Sequence, residues 1–178
     1  MVKHTNKNDI TLSSYSGESA LTGMKKFTSG NNVIDKFVQK GSLRSQAKAP
    51  GNTVVVLTDE NNNCIVGFST LSCHSLSKEN FQNELTGDVG KTKKIPVVKL
   101  TMLGVNKQYQ GLGLGRQLMR NALERTKRIS QEIGCAGLYL EADPKAVDFY
   151  SNLGFIALDK PAKDTGIVAM FLHVDGIP

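Results

Sequence analysis

The chain has 178 residues, of which 39% are hydrophobic and 21% charged, and its formal net charge is +6. That length leaves room for one domain with a proper core. No apolar run approaches the roughly 18 residues of a membrane helix, and the opening residues lack the apolar centre of a secretory signal. The expectation is a single cytoplasmic domain over residues 1–178, with residues 1–9 as a flexible leader, and its basic charge favours anionic partners. Three cysteines (Cys64, Cys73, Cys135) and three histidines (His4, His74, His173) are too scattered for a disulfide framework or a ligand cluster, so no metal is expected.

Ile10 to Leu12 start a first strand, and residues 17–27 carry no clear period. Ser29-Gly30-Asn31-Asn32 reads as a turn with a helix cap, after which Val33, Ile34, Phe37 and Val38 fall at helical spacing. The helix is expected to run to about Lys48, ahead of Pro50-Gly51-Asn52, with Gly41 as the weak point in its middle. If it is continuous, Lys36, Lys40, Arg44 and Lys48 form one drifting basic stripe. Such a stripe is either a solvated face or a footprint for an RNA backbone. Thr53 to Thr58 reads as a strand, residues 59–63 as a turn, and Cys64 to Ser72 as the hairpin partner. Residues 75–95 form a polar excursion whose loop, Gly87 to Lys94, carries a second basic cluster of Lys91, Lys93 and Lys94. Pro96 to Val105 is the next strand.

That strand runs into Gln110-Gly111-Leu112-Gly113-Leu114-Gly115-Arg116 and then a helix. Glycines at alternate positions let the backbone approach a bulky anion and present successive N–H groups to it. The helix that begins there adds its free amides and the positive end of its dipole. A dinucleotide fingerprint would need glycine where Arg116 stands. A Walker A loop ending at Gly90-Lys91-Thr92 would need one at Leu85. Taken alone, the glycines also suit a tightly packed strand–helix junction.

The following helix carries Leu114, Leu118, Ala122, Ile129 and Ile133 as its expected buried stripe and Arg116, Arg120, Arg125 and Arg128 on its other face, with Gly134 as its stop. Leu138 to Ala142 is a strand, and Pro144 opens a short helix that runs to about Leu153. Phe155 to Leu158 and Ile167 to Val174 are the last strands. Alternation of strand and helix in this half implies at least one parallel strand pair.

Two motifs carry a resemblance. Gln110 to Gly115 fits Q/R-x-x-G-x-G/A, and Ala146, Phe149, Tyr150, Gly154 and Phe155 fit A-x-x-F-Y-x-x-x-G-F in register. In this order, about thirty residues apart, they resemble the hallmarks of the GNAT superfamily of N-acetyltransferases. The resemblance implies an α/β (α+β) fold: a mixed, mostly antiparallel sheet with a splayed parallel strand pair, flanked by helices. It implies acetyl-CoA as co-substrate, its pantetheine on the backbone of Leu103 and Val105. Gln110, Gly111, Leu112, Gly113, Leu114, Gly115 and Arg116 would hold the pyrophosphate, and Phe149 would pack beneath. Tyr150 would protonate the departing thiolate, whose conjugate acid has a pKa of about 8.5; a stacking or packing role is the alternative. Glu141 and Asp143 are candidates to accept the amine's proton, or else cap and surface residues.

The N-terminal half carries a looser likeness. Phe27-Thr28-Ser29-Gly30-Asn31-Asn32-Val33-Ile34-Asp35-Lys36-Phe37-Val38 resembles the F-x-C/S-G-x-x-x-L-D-x-F-L opening of acetyltransferase toxins from bacterial toxin–antitoxin pairs, and Ile95-Pro96-Val97-Val98 is similar to the same group. Met102 stands where those toxins carry arginine, and the loop from Gly87 to Lys94 is longer and more basic. The resemblance implies that the acceptor is the amino group of an aminoacyl-tRNA, that a ribbon-helix-helix antitoxin is the partner, and that the protein forms a homodimer. Two other readings stand beside it: an enzyme acting on a protein N-terminus, a lysine or a small amine, and a non-catalytic module that binds acetyl-CoA.

Overall fold

The computed structural model describes residues 9–62, 64–80, 93–158 and 162–178. Lys91 and most of the loop expected at Gly87 to Lys94 lie outside the described residues. The elements are β1 (Ile10–Tyr15), α1 (Asn32–Gln39), α2 (Ser42–Lys48), β2 (Asn52–Asp59), β3 (Cys64–Ser77), β4 (Lys94–Val105), α3 (Leu114–Glu132), β5 (Gly137–Ala142), α4 (Val147–Ser151), β6 (Ile156–Ala157) and β7 (Val168–His173). Among the described residues the seven strands order as β1-β2-β3-β4-β5-β7-β6. Antiparallel pairing joins β1 to β2, β5 to β7 and β6 to β7. The expected parallel pair is β4 with β5, through Val98↔Leu138, Lys99↔Tyr139 and Leu100↔Leu140.

The described residues pack as two compact units, drawn from Met1–Leu71 with Met102–Arg120 and from Ser72–Thr101 with Asn121–Pro178. In the first unit the strand period of two divides β2 between two cores. Val54 and Val56 join Phe27, Val38, Leu43 and Phe68 on one side, while Val55 and Leu57 join Val66, Val105, Leu114 and Leu118 on the other. Gly104 lets α1 sit close on β4. A Cβ there would stand 2.6 Å from Ile34 Cγ2 and 3.0 Å from Phe68 Cε1, so a side chain would have to displace Ile34 and Phe68.

The single helix expected from Val33 to about Lys48 is two. Asn31 caps α1, accepting from the N–H groups of Val33 and Ile34, and the chain then turns at Gly41, with φ of 83°. A left-handed residue ends an α-helix, and glycine adopts that conformation without a Cβ clash. The break also divides the basic stripe: Lys36 and Lys40 belong to α1 and its cap, Arg44 and Lys48 to α2.

In the second unit, Leu76, Ile95, Val97, Tyr139 and Phe171 form the core cluster. Strand β3 continues to Ser77 instead of giving way to an excursion at residue 75. Its composition there is polar, but buried Leu76 between exposed Ser75 and Ser77 keeps the strand alternation. The stripe of α3 holds at Leu114, Leu118 and Ala122 and fails at Ile133, which is 82% exposed. Ile133 lies past the end of α3, where Gly134 turns left-handed (φ 93°) and donates its N–H to the Ile129 carbonyl. Met119 and Leu123 are buried instead.

Candidate active site

The glycine turn belongs to the first unit and is braced from three directions. Lys107 to Tyr109 form a 3-10 turn capped by the Asn106 side chain, which accepts from the Gln108 N–H. Tyr109 is buried and donates its hydroxyl to Asp59 Oδ2 at 2.8 Å. Asp59 is wholly buried and also accepts from the N–H groups of Asn61 and Asn62 and from the Asn62 side-chain amide. Desolvation works against the Asp59 charge, yet the bonds from Asn62, Tyr109 and Asn61 outweigh it and hold the carboxyl below its ordinary value. Burial, then the bond to Asp59, push the Tyr109 phenol well above the usual range, so it stays a donor.

The second brace is Gln110. Its side-chain amide donates to the Ser29 carbonyl at 2.8 Å and the Val105 carbonyl at 3.0 Å, tying the turn to the end of β4 and to the loop before α1. Those donors are therefore committed to the protein itself. The third brace is Asp35, which collects the Ser29 N–H, the Ser29 hydroxyl and the Thr28 hydroxyl. Thr28 in turn accepts the Lys107 N–H through its carbonyl. Spacing alone assigns no role to Asp35 or Asp59; the aspartate of the S-G-x-x-x-x-D run is the available signal for the first.

What remains free is suited to an anion. Gly111 and Gly113 are both left-handed, with φ of 80° and 77°. A Cβ on Gly111 would meet nothing within 4 Å, so that glycine answers to backbone conformation and not to packing. The first α-helical bond accepted by Gly113 comes from the Gln117 N–H, which leaves the amides of Leu114, Gly115 and Arg116 at the open helix start. Leu112, Gly113 and Arg116 are exposed, and no acidic residue stands in the first turn of α3. These residues fit a pyrophosphate. On β4, Leu103 and Val105 direct their side chains to the core that holds Leu114, while Met102 packs on the opposite core with Phe27 and Phe68.

Tyr150 lies in the second unit, on α4, 9% exposed. Phe149 and Phe155 meet it edge-on, at ring separations of 5.1 and 5.8 Å. Burial in these apolar surroundings pushes its phenol up to about 12. It keeps its proton at any physiological pH. Asp143 caps the turn that leads into α4, accepting from the Lys145 N–H at 3.0 Å. Glu141 is exposed but engaged. Lys99 Nζ bonds it at 3.0 Å and the Tyr139 hydroxyl donates to it at 3.1 Å. Desolvation again opposes the charge, and the Lys99 bond and charge, Tyr139 and His74 together hold the carboxyl below its ordinary range. Such a carboxylate is a weak base.

Among the basic candidates, Lys36, Lys40, Lys48, Lys93 and Lys94 are exposed. Arg44 is different: Nε donates to the Gly17 carbonyl at 2.8 Å and Nη2 to the Glu18 carbonyl at 2.9 Å, fastening α2 to the loop after β1.

A glycine turn that opens a helix and a tyrosine on a second, shorter helix are the two features expected of an acetyltransferase of the GNAT type. The family model described as the acetyltransferase (GNAT) domain matches residues 11–172, and the chain belongs to that family. Within it, the chain is similar to bacterial toxins. It is 27% identical over 130 residues to the probable toxin TacT of Sinorhizobium fredii, covering 68% of this chain and 71% of the relative. It is 26% identical over 130 residues to the tRNA-acetylating toxin of Mycobacterium tuberculosis, covering 72% of this chain and 75% of that protein. A crystal structure of a bacterial toxin superposes with a TM-score of 0.87 at 34% identity, over 94% of this chain and 92% of the other. AtaT complexed with acetyl-methionyl-tRNAfMet shares the fold, with a TM-score of 0.81 at 24% identity over 95% and 97% of the two chains.

Proposed function

We propose that this protein transfers the acetyl group of acetyl-CoA to the amino group of an aminoacyl-tRNA and so blocks translation. The observation that carries the chemistry is the buried, neutral Tyr150 at the motif position of a GNAT acetyltransferase. The acceptor rests on the likeness to the tRNA-acetylating toxin of Mycobacterium tuberculosis and to AtaT, solved with acetyl-methionyl-tRNAfMet. The reading takes the chain as one acetyltransferase domain, since the family match runs through both compact units.

Acetyl-CoA supplies a thioester carbonyl at which the amine forms the new C–N bond while the C–S bond breaks and the thiol departs. The chain's own residues do three things. The amides after Gly113 and the Arg116 side chain hold the diphosphate, and the braces at Tyr109, Gln110 and Asp35 keep that turn in shape before anything binds. Tyr150 delivers its proton to the departing sulfur, the kind of general-acid help worth about 10²–10⁴-fold. Glu141, already ionised and held by Lys99, favours the positive charge that appears on the nitrogen of the neutral amine as the C–N bond forms, and water takes the proton from it. Asp143 serves as the cap of the turn before Tyr150.

The exposed Lys36, Lys40, Lys48, Lys93 and Lys94 are among the residues available to meet phosphates, where contacts position a nucleic acid without reading its sequence. A ribbon-helix-helix antitoxin and a homodimer complete the proposal; a mutant of the toxin AtaT has been solved bound to the C-terminus of the antitoxin AtaR and acetyl-CoA. Among the described residues no helix is long and apolar enough to cross a membrane, and the reading takes the protein as cytoplasmic. The test is competition: labelled acetyl-CoA is offered to the protein with total charged tRNA, basic peptides and small amines together. Label on the tRNA fraction supports the proposal; label only on peptides or small amines overturns the acceptor.

A further inference from the structure

Around Glu141 and Lys99, on the same face of the second unit, lie His74, Tyr139, Ser72 and Thr101, to which the acetyl transfer assigns no direct part. His74 of β3 stacks on Tyr139 of β5, the rings 5.7 Å apart and 16° from parallel. Lys99 of β4 holds its ammonium 5.4 Å from the Tyr139 ring centre. The hydroxyls of Ser72 and Thr101 stand 3.3 Å from one another one rung further along. Tyr139 is buried, and its position is set by its hydroxyl bond to Glu141, itself locked by Lys99. His74, by contrast, is exposed.

Core packing does not account for this arrangement. The apolar part of the face ends with Val97 and Tyr139, and an exposed imidazole laid flat on a fixed phenol adds little to that core. What it creates is a rigid aromatic surface open to solvent, rimmed by hydroxyls, an ammonium and a carboxylate. Flat heteroaromatic rings stack on such surfaces, and histidine is among the side chains on which unpaired RNA bases stack. A base seated there would find donors and acceptors at its edge in Ser72, Thr101, Lys99 and Glu141.

We propose that the His74–Tyr139 stack is the seat of an unpaired nucleobase at the single-stranded 3′ end of the RNA acceptor. The inference rests on the aminoacyl-tRNA reading and adds to it a place where the end of that substrate is gripped. The seat reads ring planes and not a sequence, in keeping with an end that all tRNAs share.

The probe is a short single-stranded RNA ending in 2-aminopurine, whose fluorescence is quenched on stacking, titrated into the full-length protein. Wild type should quench it, His74→Ala should weaken binding by about tenfold or more, and His74→Phe should restore the quench. Thermal melting checks that both variants fold, as expected for an exposed position. Absence of quenching, or equal quenching by wild type and His74→Ala, overturns the seat even if charged tRNA is acetylated. His74-dependent quenching in a protein that acetylates only peptides would uphold the seat and sink the acceptor reading, so the two failures are distinguishable.

Discussion

The hydroxyl of Tyr109 lies 2.8 Å from Oδ2 of Asp59, fifty residues earlier in the chain, and both groups are buried. This bond ties Asp59, at the end of β2, to the residue that immediately precedes the glycine loop, so the candidate anion-binding turn is anchored to the hairpin.

Tyr109→Phe removes the donor and leaves Asp59 with its Asn61 and Asn62 bonds, so stability should fall by about 1–3 kcal/mol. Urea unfolding measures it. The affinity for acetyl-CoA should drop several-fold while the KM for the amine changes little. Equal changes in both would mean general loosening.

The same pair sets a pH dependence with opposite signs at its two ends. Asp59 is held below its unfolded value of about 3.9, so its contribution is present above that pH and is lost as the pH falls through the folded value. Tyr109 is held above its unfolded value of about 10, so its contribution is present below that pH and declines as the pH rises further. Urea midpoints from pH 2 to 11 should therefore fall at both extremes, and Asp59→Asn should flatten the acid side.

Tyr150→Phe should leave acetyl-CoA affinity intact and lower turnover at least tenfold. With its phenol at about 12, Tyr150 keeps its proton throughout the neutral and mildly alkaline range. The wild-type rate should therefore show no alkaline decline from this group up to about pH 10. A Tyr150→Phe enzyme with unchanged turnover would remove the residue from the mechanism.

The glycine turn separates two effects. Gly111→Ala meets open space and costs only the strain of its left-handed backbone, roughly 1–2 kcal/mol. Gly113→Glu adds a carboxylate where a diphosphate is expected, and isothermal titration should find acetyl-CoA binding weakened at least tenfold.

The four basic residues that look like one stripe along the chain should divide. Neutralising Lys36, Lys40 and Lys48 should flatten the salt dependence of tRNA binding by about one unit of slope for each phosphate left without its cation. Arg44→Gln should instead lower the melting temperature, because that guanidinium holds the Gly17 and Glu18 carbonyls. A salt slope that moves with Arg44 and not with the lysines would reverse the assignment.

These contrasts also mark what is legible in the chain itself. The glycine turn and the Phe149-Tyr150 helix can be read because their causes are local: alternate glycines, a proline-opened turn, a closing glycine. The break at Gly41 is visible as a weak point, since one glycine is enough to turn a helix left-handed. Asp59 can only be read as a turn residue, because its partner Tyr109 arrives through the fold and not through spacing. Glu141 looks like a free base for the same reason; Lys99 reaches it from a neighbouring strand, and no periodicity announces a cross-strand ion pair. Ile133 fails because helical spacing continues one residue beyond the helix itself.

The identity of the acceptor amine decides the function. After incubation with acetyl-CoA and charged tRNA, nuclease digestion releases the 3′-terminal aminoacyl-adenosine, which mass spectrometry can weigh directly. N-acetylated aminoacyl-adenosine, formed by wild type and largely lost with Tyr150→Phe, is the result expected here. Unmodified aminoacyl-adenosine from an enzyme that acetylates peptides or small amines under the same conditions would contradict it.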